Sequence, residues 1–217
     1  MIRNILCLLF LLSSLAMLPA CAGPVTYSAE PTEATIVDAE TKQPLEGVIV
    51  VAHWVLEGGV HVSRVGELKI LETTTDPNGR FVFPAWGPLR HWGRSRLTYM
   101  DPELLIFKSG YEYQRLSNSL TTEAIKGKPI PVRRSEWSGK VIGLKPFKGD
   151  LKKYEELFED FNHQLERIAT DRPKECNWKN ITKTIRTMNQ ERKRLVALGV
   201  NPNTLSTVDN ELLLNDV

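Results

Sequence analysis

Between residues 85 and 102 the chain carries Trp86, Arg90, His91, Trp92, Arg94, Arg96 and Tyr99. Indole and phenol rings offer flat apolar faces with one hydrogen-bonding edge. Guanidinium groups offer forked donors that match carboxylates and phosphates. Trp, Tyr and Arg dominate the energetics of protein interfaces, and aromatic platforms stack on sugar rings, so this mixture is the chemistry of a binding surface for a protein or a saccharide. The plainer reading stands beside it: Trp86 and Trp92 pin the segment to a core.

Catalytic chemistry is harder to find. The histidines are His53, His61, His91 and His163. His53 and His61 flank Gly58-Gly59 and would sit on neighbouring strands. A zinc site takes three or four ligands, however, and no Cys/His/Asp group at metal spacing accompanies them, so no metal and no cofactor are expected. Asp76-x-Asn78-Gly79 has the start of a calcium loop, but the twelfth position is Gly87 where an EF-hand needs Glu. No Gly-x-Ser-x-Gly elbow is present. Cys176 lies beside Lys174 and Lys179, a setting that lowers thiol pKa, with inert packing against Trp178 as the alternative. The expectation is a non-catalytic binding protein with no assigned catalytic residues. The rival is a hydrolase or metal-dependent enzyme with a site in the 85–102 loop.

The chain's address is clearer than its chemistry. In residues 1–20 Arg3 is the one charge, residues 5–18 are almost unbroken apolar, and Leu18-Pro19-Ala20 precedes Cys21. A positive start, an apolar middle and a small residue at the cut make a secretory signal, and the apolar run is short for a membrane span. Leu-Pro-Ala-Cys resembles the lipobox of bacterial lipoproteins. In that family the cysteine sulfur receives a diacylglycerol and the amine freed by cleavage is acylated. A single acyl chain holds a protein only marginally at a bilayer, which accounts for the several chains. The resemblance implies a membrane partner through lipid on Cys21. With Ala22 rather than Asp after the cysteine, it implies an outer membrane lipoprotein facing the periplasm or the cell surface. Ordinary cleavage after Ala20 is the alternative.

These residues need elements to position them. Residues 21–31, with Gly23, Pro24, Ser28 and Pro31, resemble a short lipidated tether. Residues 34–39 form a first strand and 42–47 turn material. Residues 48–56 are dense in β-branched and aromatic side chains. Alternation puts Val48, Val50, Ala52 and Trp54 on one face and Ile49, Val51, His53 and Val55 on the other. Both faces are largely apolar, which predicts a central strand covered on both sides. Residues 60–65 and 67–75 continue the sheet. Asp76-Pro77-Asn78-Gly79 fits a type I turn, and residues 80–84 return as a strand with Phe81 and Phe83 on one face.

A strand ending in Asp, then Lys-Gln-Pro-Leu-Glu-Gly-Val-x-Val, then Thr-Thr-Thr-Asp-x-Asn-Gly-Arg-Phe-x-Phe-Pro, resembles the carboxypeptidase regulatory-like domain, the transthyretin-like or prealbumin-like sandwich. Leu104 to Tyr111, ending in a Gly-Tyr pair, and a last strand over residues 141–146 extend the likeness. The resemblance implies a mainly β fold, an antiparallel seven-stranded prealbumin-like β-sandwich over residues 32–147. That family includes hydrolases ending in Tyr-Arg-Gly-Ser; this chain ends Leu-Leu-Asn-Asp-Val and lacks that tetrapeptide, as it lacks the His-x-x-Glu of the peptidases to which the module is attached elsewhere.

After Lys148 the period changes. Leu151, Tyr154, Leu157, Phe158, Phe161, Leu165 and Ile168 recur in steps of three and four, the pattern of an amphipathic helix. A second stripe runs through Trp178, Ile181, Ile185, Met188, Leu195 and Leu198, stopped by Gly199 and Pro202. The short break between them predicts a C-terminal α-helical hairpin over residues 148–199, followed by a tail over 200–217. Glu191-Arg192-Lys193-Arg194 reads as a solvated face. With 28 basic and 26 acidic residues the chain has a net charge of +2, too balanced for a nucleic-acid binder. At 41% hydrophobic and 25% charged residues it has the composition of a protein with a real core.

Overall fold

The computed structural model describes residues 23–121, 126–127, 130–170 and 177–206. Among them are eleven strands: β1 (Val25–Ala29), β2 (Thr32–Asp38), β3 (Ile49–Gly58), β4 (Ser63–Thr74), β5 (Arg80–Phe83), β6 (Trp86–His91), β7 (Arg96–Leu97), β8 (Glu103–Phe107), β9 (Gln114–Leu116), β10 (Val132–Arg133) and β11 (Val141–Leu144). Two α-helices follow, α1 (Leu151–Thr170) and α2 (Thr182–Ala197). The strands make three sheets, ordered β10–β1–β6, β11–β2–β5 and β4–β3–β8–β9, with β7 paired to the end of β3.

The fold is mainly β with two C-terminal helices, as expected, but it is not a seven-stranded antiparallel sheet pair. β10 pairs with β1, and β11 with β2, in parallel. Parallel neighbours need a long crossover, and here residues 30–131 and 39–140 lie between the partners. The segment read as a tether over residues 21–31 contains β1. Tyr27 and Ala29 are buried there, and Thr26 points outward, so a short alternation over Val25–Ala29 was enough for a strand.

Two cores are divided by β3. One face of that strand, with Val48 just before it, gives Val50, Ala52, Trp54 and Leu56 to a core shared with Tyr27, Ile36, Phe81, Phe83, Ile106, Ile142 and Leu144. This core fills the space between the five-stranded sheet and the two small ones. The other face gives Ile49 and Val51 to a core with Ile70, Leu105, Phe107 and the apolar stripes of both helices. β3 is therefore buried on both faces, as its double apolar alternation predicts. Phe107 stacks on Phe161 of α1 with ring centroids 5.0 Å apart. Burying each such aromatic side chain stabilises the fold by roughly 1.5–3 kcal/mol.

The predicted turn at Asp76 forms. Gly79 N–H donates to Asp76 O at 2.8 Å, and Asp76 Oδ1 accepts from the backbone of Asn78 and Arg80, each at 2.9 Å. Gly79 has φ +71°, and a Cβ there would lie 2.3 Å from Ile36 O. The turn is thus pressed against β2, and only glycine fits. The hairpin after β3 differs from the reading: residues 59–62 make the turn, leaving Val60 and Val62 outside the strands. Glu191, read as part of a solvated face, is buried. Its carboxylate accepts from Tyr154 Oη at 2.8 Å, Ser109 Oγ at 2.7 Å and Arg194 Nη2 at 2.6 Å. No helix among the described residues is long and apolar enough to cross a membrane. Cys21, the expected lipid attachment point, and Cys176 lie outside the described residues.

Candidate functional site

The segment 85–102 is not structureless. Its first half is β6, which runs antiparallel to β1 with Val25 opposite His91, Thr26 opposite Arg90 and Ala29 opposite Trp86. Gly87, at φ +101°, passes so close to β1 that a Cβ would sit 2.7 Å from Ser28 Cα and from Tyr27 O. Its second half drops β7 onto the end of β3, placing Arg96 opposite Glu57 and Leu97 opposite Leu56.

This path separates the predicted surface residues. Trp86 is half-buried and meets Trp54 edge-on, ring centroids 5.0 Å apart, so it pins the segment to the core. Trp92 is exposed. Arg90 is exposed on β6. His91 is half-buried, with Nε2 2.8 Å from Ser95 Oγ. Arg96 closes the turn beneath it, donating from Nη1 to Gly93 O and Ser95 O, each at 2.8 Å. Binding surface and pin were alternatives for Trp86 and Trp92 together; Trp86 is packed against the core and Trp92 stands in solvent.

Arg94, Arg96 and Tyr99 come together with residues that lie far away in sequence. They line a cavity of about 650 Å³ along with Val25 and Tyr27 of β1, residues 57–60 and Val62 of the hairpin, Ile130, Pro131 and Arg133. That volume is in the range of small-molecule sites. Arg133 is the residue sequence reasoning missed. Its backbone is fixed by the parallel pairing of Ala29 with Arg133. Its guanidinium is buried, donates from Nη2 to Leu97 O at 3.2 Å, and lies 5.7 Å from the Tyr27 ring centroid and 6.0 Å from that of Tyr99. Its Nε has no hydrogen-bond partner. Burial holds this guanidinium below its ordinary pKa, against the pull of Asp101, Tyr27 and Tyr99. Three arginines and two tyrosines around an apolar hollow suit a ligand with an anionic group and a flat or apolar body. The only hint in the sequence was a basic residue beside Pro131 and Val132, because the pairing that brings it here is non-local.

A second constellation lies on the helix-facing side of the large sheet. His53 is buried, with Nδ1 3.2 Å from Glu67 Oε1 and Nε2 3.3 Å from Glu103 Oε1. The Nε2 contact is an ion pair that lacks hydrogen-bond alignment. Arg64 pairs with Glu67, and Arg115 Nε lies 3.2 Å from Glu103 Oε1. Burial alone would push His53 down, but the two carboxylates outweigh it and hold the imidazole up to about 9. Asp101, buried nearby, accepts from Val55 N–H at 3.1 Å, and burial lifts it to about 7. These groups border a cavity of about 170 Å³ that reaches Gln164 and Arg167 of α1. His53 and His61 do not form a pair, since His53 is buried in this network and His61 is exposed at the hairpin turn. Among the described residues no group of three or more His, Cys, Asp or Glu is placed to hold a metal ion.

No protein-family model matches the chain, and no curated protein matches it either. Among solved structures it is similar to 3-chlorocatechol 1,2-dioxygenase from Rhodococcus opacus, at 16% identity and a TM-score of 0.30 over 60% of this chain and 63% of that one. It is also similar to a 9R-lipoxygenase from Cyanothece, at 13% identity and a TM-score of 0.28 over 74% of this chain and 24% of that one. The chain spans less than two thirds of either protein, and likeness at this level carries no argument about fold or chemistry.

Proposed function

We propose that this chain is a non-catalytic lipoprotein of the bacterial cell envelope, anchored through Cys21. It is built on a carboxypeptidase regulatory-like, prealbumin-like sandwich and binds an envelope partner at the end of that sandwich. The partner is a saccharide or a protein segment bearing an anionic group. The observation that carries the reading is the 650 Å³ cavity on which Arg94, Arg96, Arg133, Tyr27 and Tyr99 converge. The signal at residues 1–20 and the lipobox-like Leu-Pro-Ala-Cys supply the address. Ligand-observed NMR with acidic saccharides and acidic peptides tests the site. Saturation transfer is expected with the native chain and lost in R94Q/R96Q and in Y99A. Transfer that survives both variants removes the cavity from the reading.

One observation favours the rival. Asp101 lies in the 85–102 segment, its Oδ2 has no hydrogen-bond partner, and its pKa of about 7 suits proton transfer. Against it, both nitrogens of the neighbouring His53 already face carboxylates, and His53 and Asp101 are 1% and 2% exposed. Turnover of an ester or glycoside by the purified chain, abolished in D101N, would establish a hydrolase in its place.

A further inference from the structure

Three residues lie between Cys21 and Val25, and the four residue steps span at most about 14 Å in an extended chain. Val25 lies opposite His91 in the β1–β6 register, and Trp92 follows directly. His91 Nε2 meets Ser95 Oγ at 2.8 Å, and a Cβ on Gly58 would lie 3.1 Å from Ser95 Cβ. The hairpin turn after Gly58 therefore projects from the same end of the molecule as Trp92. It presents Val60, 95% exposed, and Val62, 68% exposed, at the end that also carries Trp92, 69% exposed. Val62 holds φ +45°. A left-handed β-branched residue is unfavourable in a turn that Gly or Asn would fill without strain.

Arg94, exposed, and half-buried Arg96 line the cavity together with Val60 and Val62, and exposed Arg90 precedes Trp92 by two residues. Glu57 is the carboxylate among the cavity's lining residues, and it lies opposite Arg96 in the β3–β7 register. An apolar tip with an indole and exposed guanidinium groups at the same end matches the boundary between phosphate headgroups and acyl chains, where tryptophan is enriched and basic side chains meet anionic lipid.

We infer that this end of the sandwich rests on an anionic phospholipid bilayer, with Val60, Val62 and Trp92 at the acyl boundary and Arg90 and Arg94 on headgroup phosphates. The inference rests on the anchor at Cys21 proposed above, which would hold this end toward the membrane. It implies that the cavity opens onto the headgroup layer and meets its ligand there.

The test uses the chain purified from membranes of an expressing bacterium. It is reconstituted in vesicles of phosphatidylglycerol and phosphatidylcholine with brominated acyl chains. Tryptophan emission is expected to be quenched. W92F should remove most of that quenching, V60S/V62S should reduce it, and R90Q/R94Q should reduce it in a salt-dependent way. W137F, a control distant from the tip in sequence, should leave it unchanged. Quenching that W92F leaves intact, or that is absent in the native chain, overturns the proposal. Mass spectrometry of the same preparation reads Cys21 separately. An acylated chain without quenching removes the bilayer contact and leaves the anchor standing; a quenched chain without acyl groups removes the anchor and leaves the contact standing.

Discussion

The carboxylate of Glu72, on β4, accepts the backbone N–H of Thr184 at 2.9 Å, and its other oxygen accepts that of Lys183 at 2.9 Å. These are N–H groups of the first turn of α2, whose own N-cap residue, Ile181, offers no side-chain acceptor. A sheet residue thus supplies the cap that the helix lacks, and its negative charge sits at the positive end of the helix dipole. The same contact ties the helical layer to the sheet.

Removing that cap has a measurable consequence. Glu72→Ala is expected to lower the unfolding free energy by about 1–2 kcal/mol in urea titrations, with Glu72→Gln recovering part of the loss. A midpoint unchanged in the Ala variant would show that water replaces the carboxylate without cost.

Glu191 makes a stronger demand. It is buried, and it accepts from Tyr154, Ser109 and Arg194, joining α2 to α1 and to the turn after β8. Burial would raise its pKa, but these donors together hold it below the ordinary value. Glu191→Ala strands the buried Tyr154 hydroxyl, takes the acceptor from Ser109, and is expected to destabilise by about 3 kcal/mol, whereas Arg194→Ala, at a half-exposed partner, should cost about 1 kcal/mol. Equal losses in the two variants would contradict this account.

His53 sets a pH dependence. Its pKa is about 9 in the folded chain against an ordinary 6.5, so the folded state holds the proton more tightly. The stabilisation is complete below pH 6.5 and is lost as pH climbs through 9, on the order of 3 kcal/mol in all. Asp101, raised to about 7, has the same sign in a lower window, from its ordinary value of 3.8 up to 7. Glu103 and Glu191 are lowered, so their opposite slope falls in the acid range. The urea midpoint should therefore fall between pH 6.5 and 9.5, and His53→Gln should flatten that decline. A native midpoint that rises over the interval would refute the charge assignment.

The stacked pair Phe107 and Phe161 reports on the joint between sheet and helices. Phe161→Ala is expected to cost about 3–5 kcal/mol, as a fully buried aromatic truncation does, with one cooperative transition followed by both near-UV and far-UV dichroism. Two separated transitions would mean that the helices fold independently of the sandwich.

Much of this was legible in the chain itself. The double apolar alternation of residues 48–56 required a strand covered on both faces, because side chains on a strand alternate and both sets were apolar. The steps of three and four after Leu151 required helices with one buried stripe each. Asp-Pro-Asn-Gly required a tight turn, since each residue type suits its dihedral angles. What tertiary structure alone decided is every relation between distant segments. The parallel pairing of β10 with β1 buries Arg133 between Tyr27 and Tyr99. The close passage at Gly87 turns Trp86 inward and leaves Trp92 in solvent. Glu67 and Glu103, flanking His53 from neighbouring strands, make a buried cation of a residue with no charged sequence neighbour. Local periodicity reports which face of an element is apolar. It carries no information about which element lies opposite, and the surface of residues 86–99 owes its final shape to that.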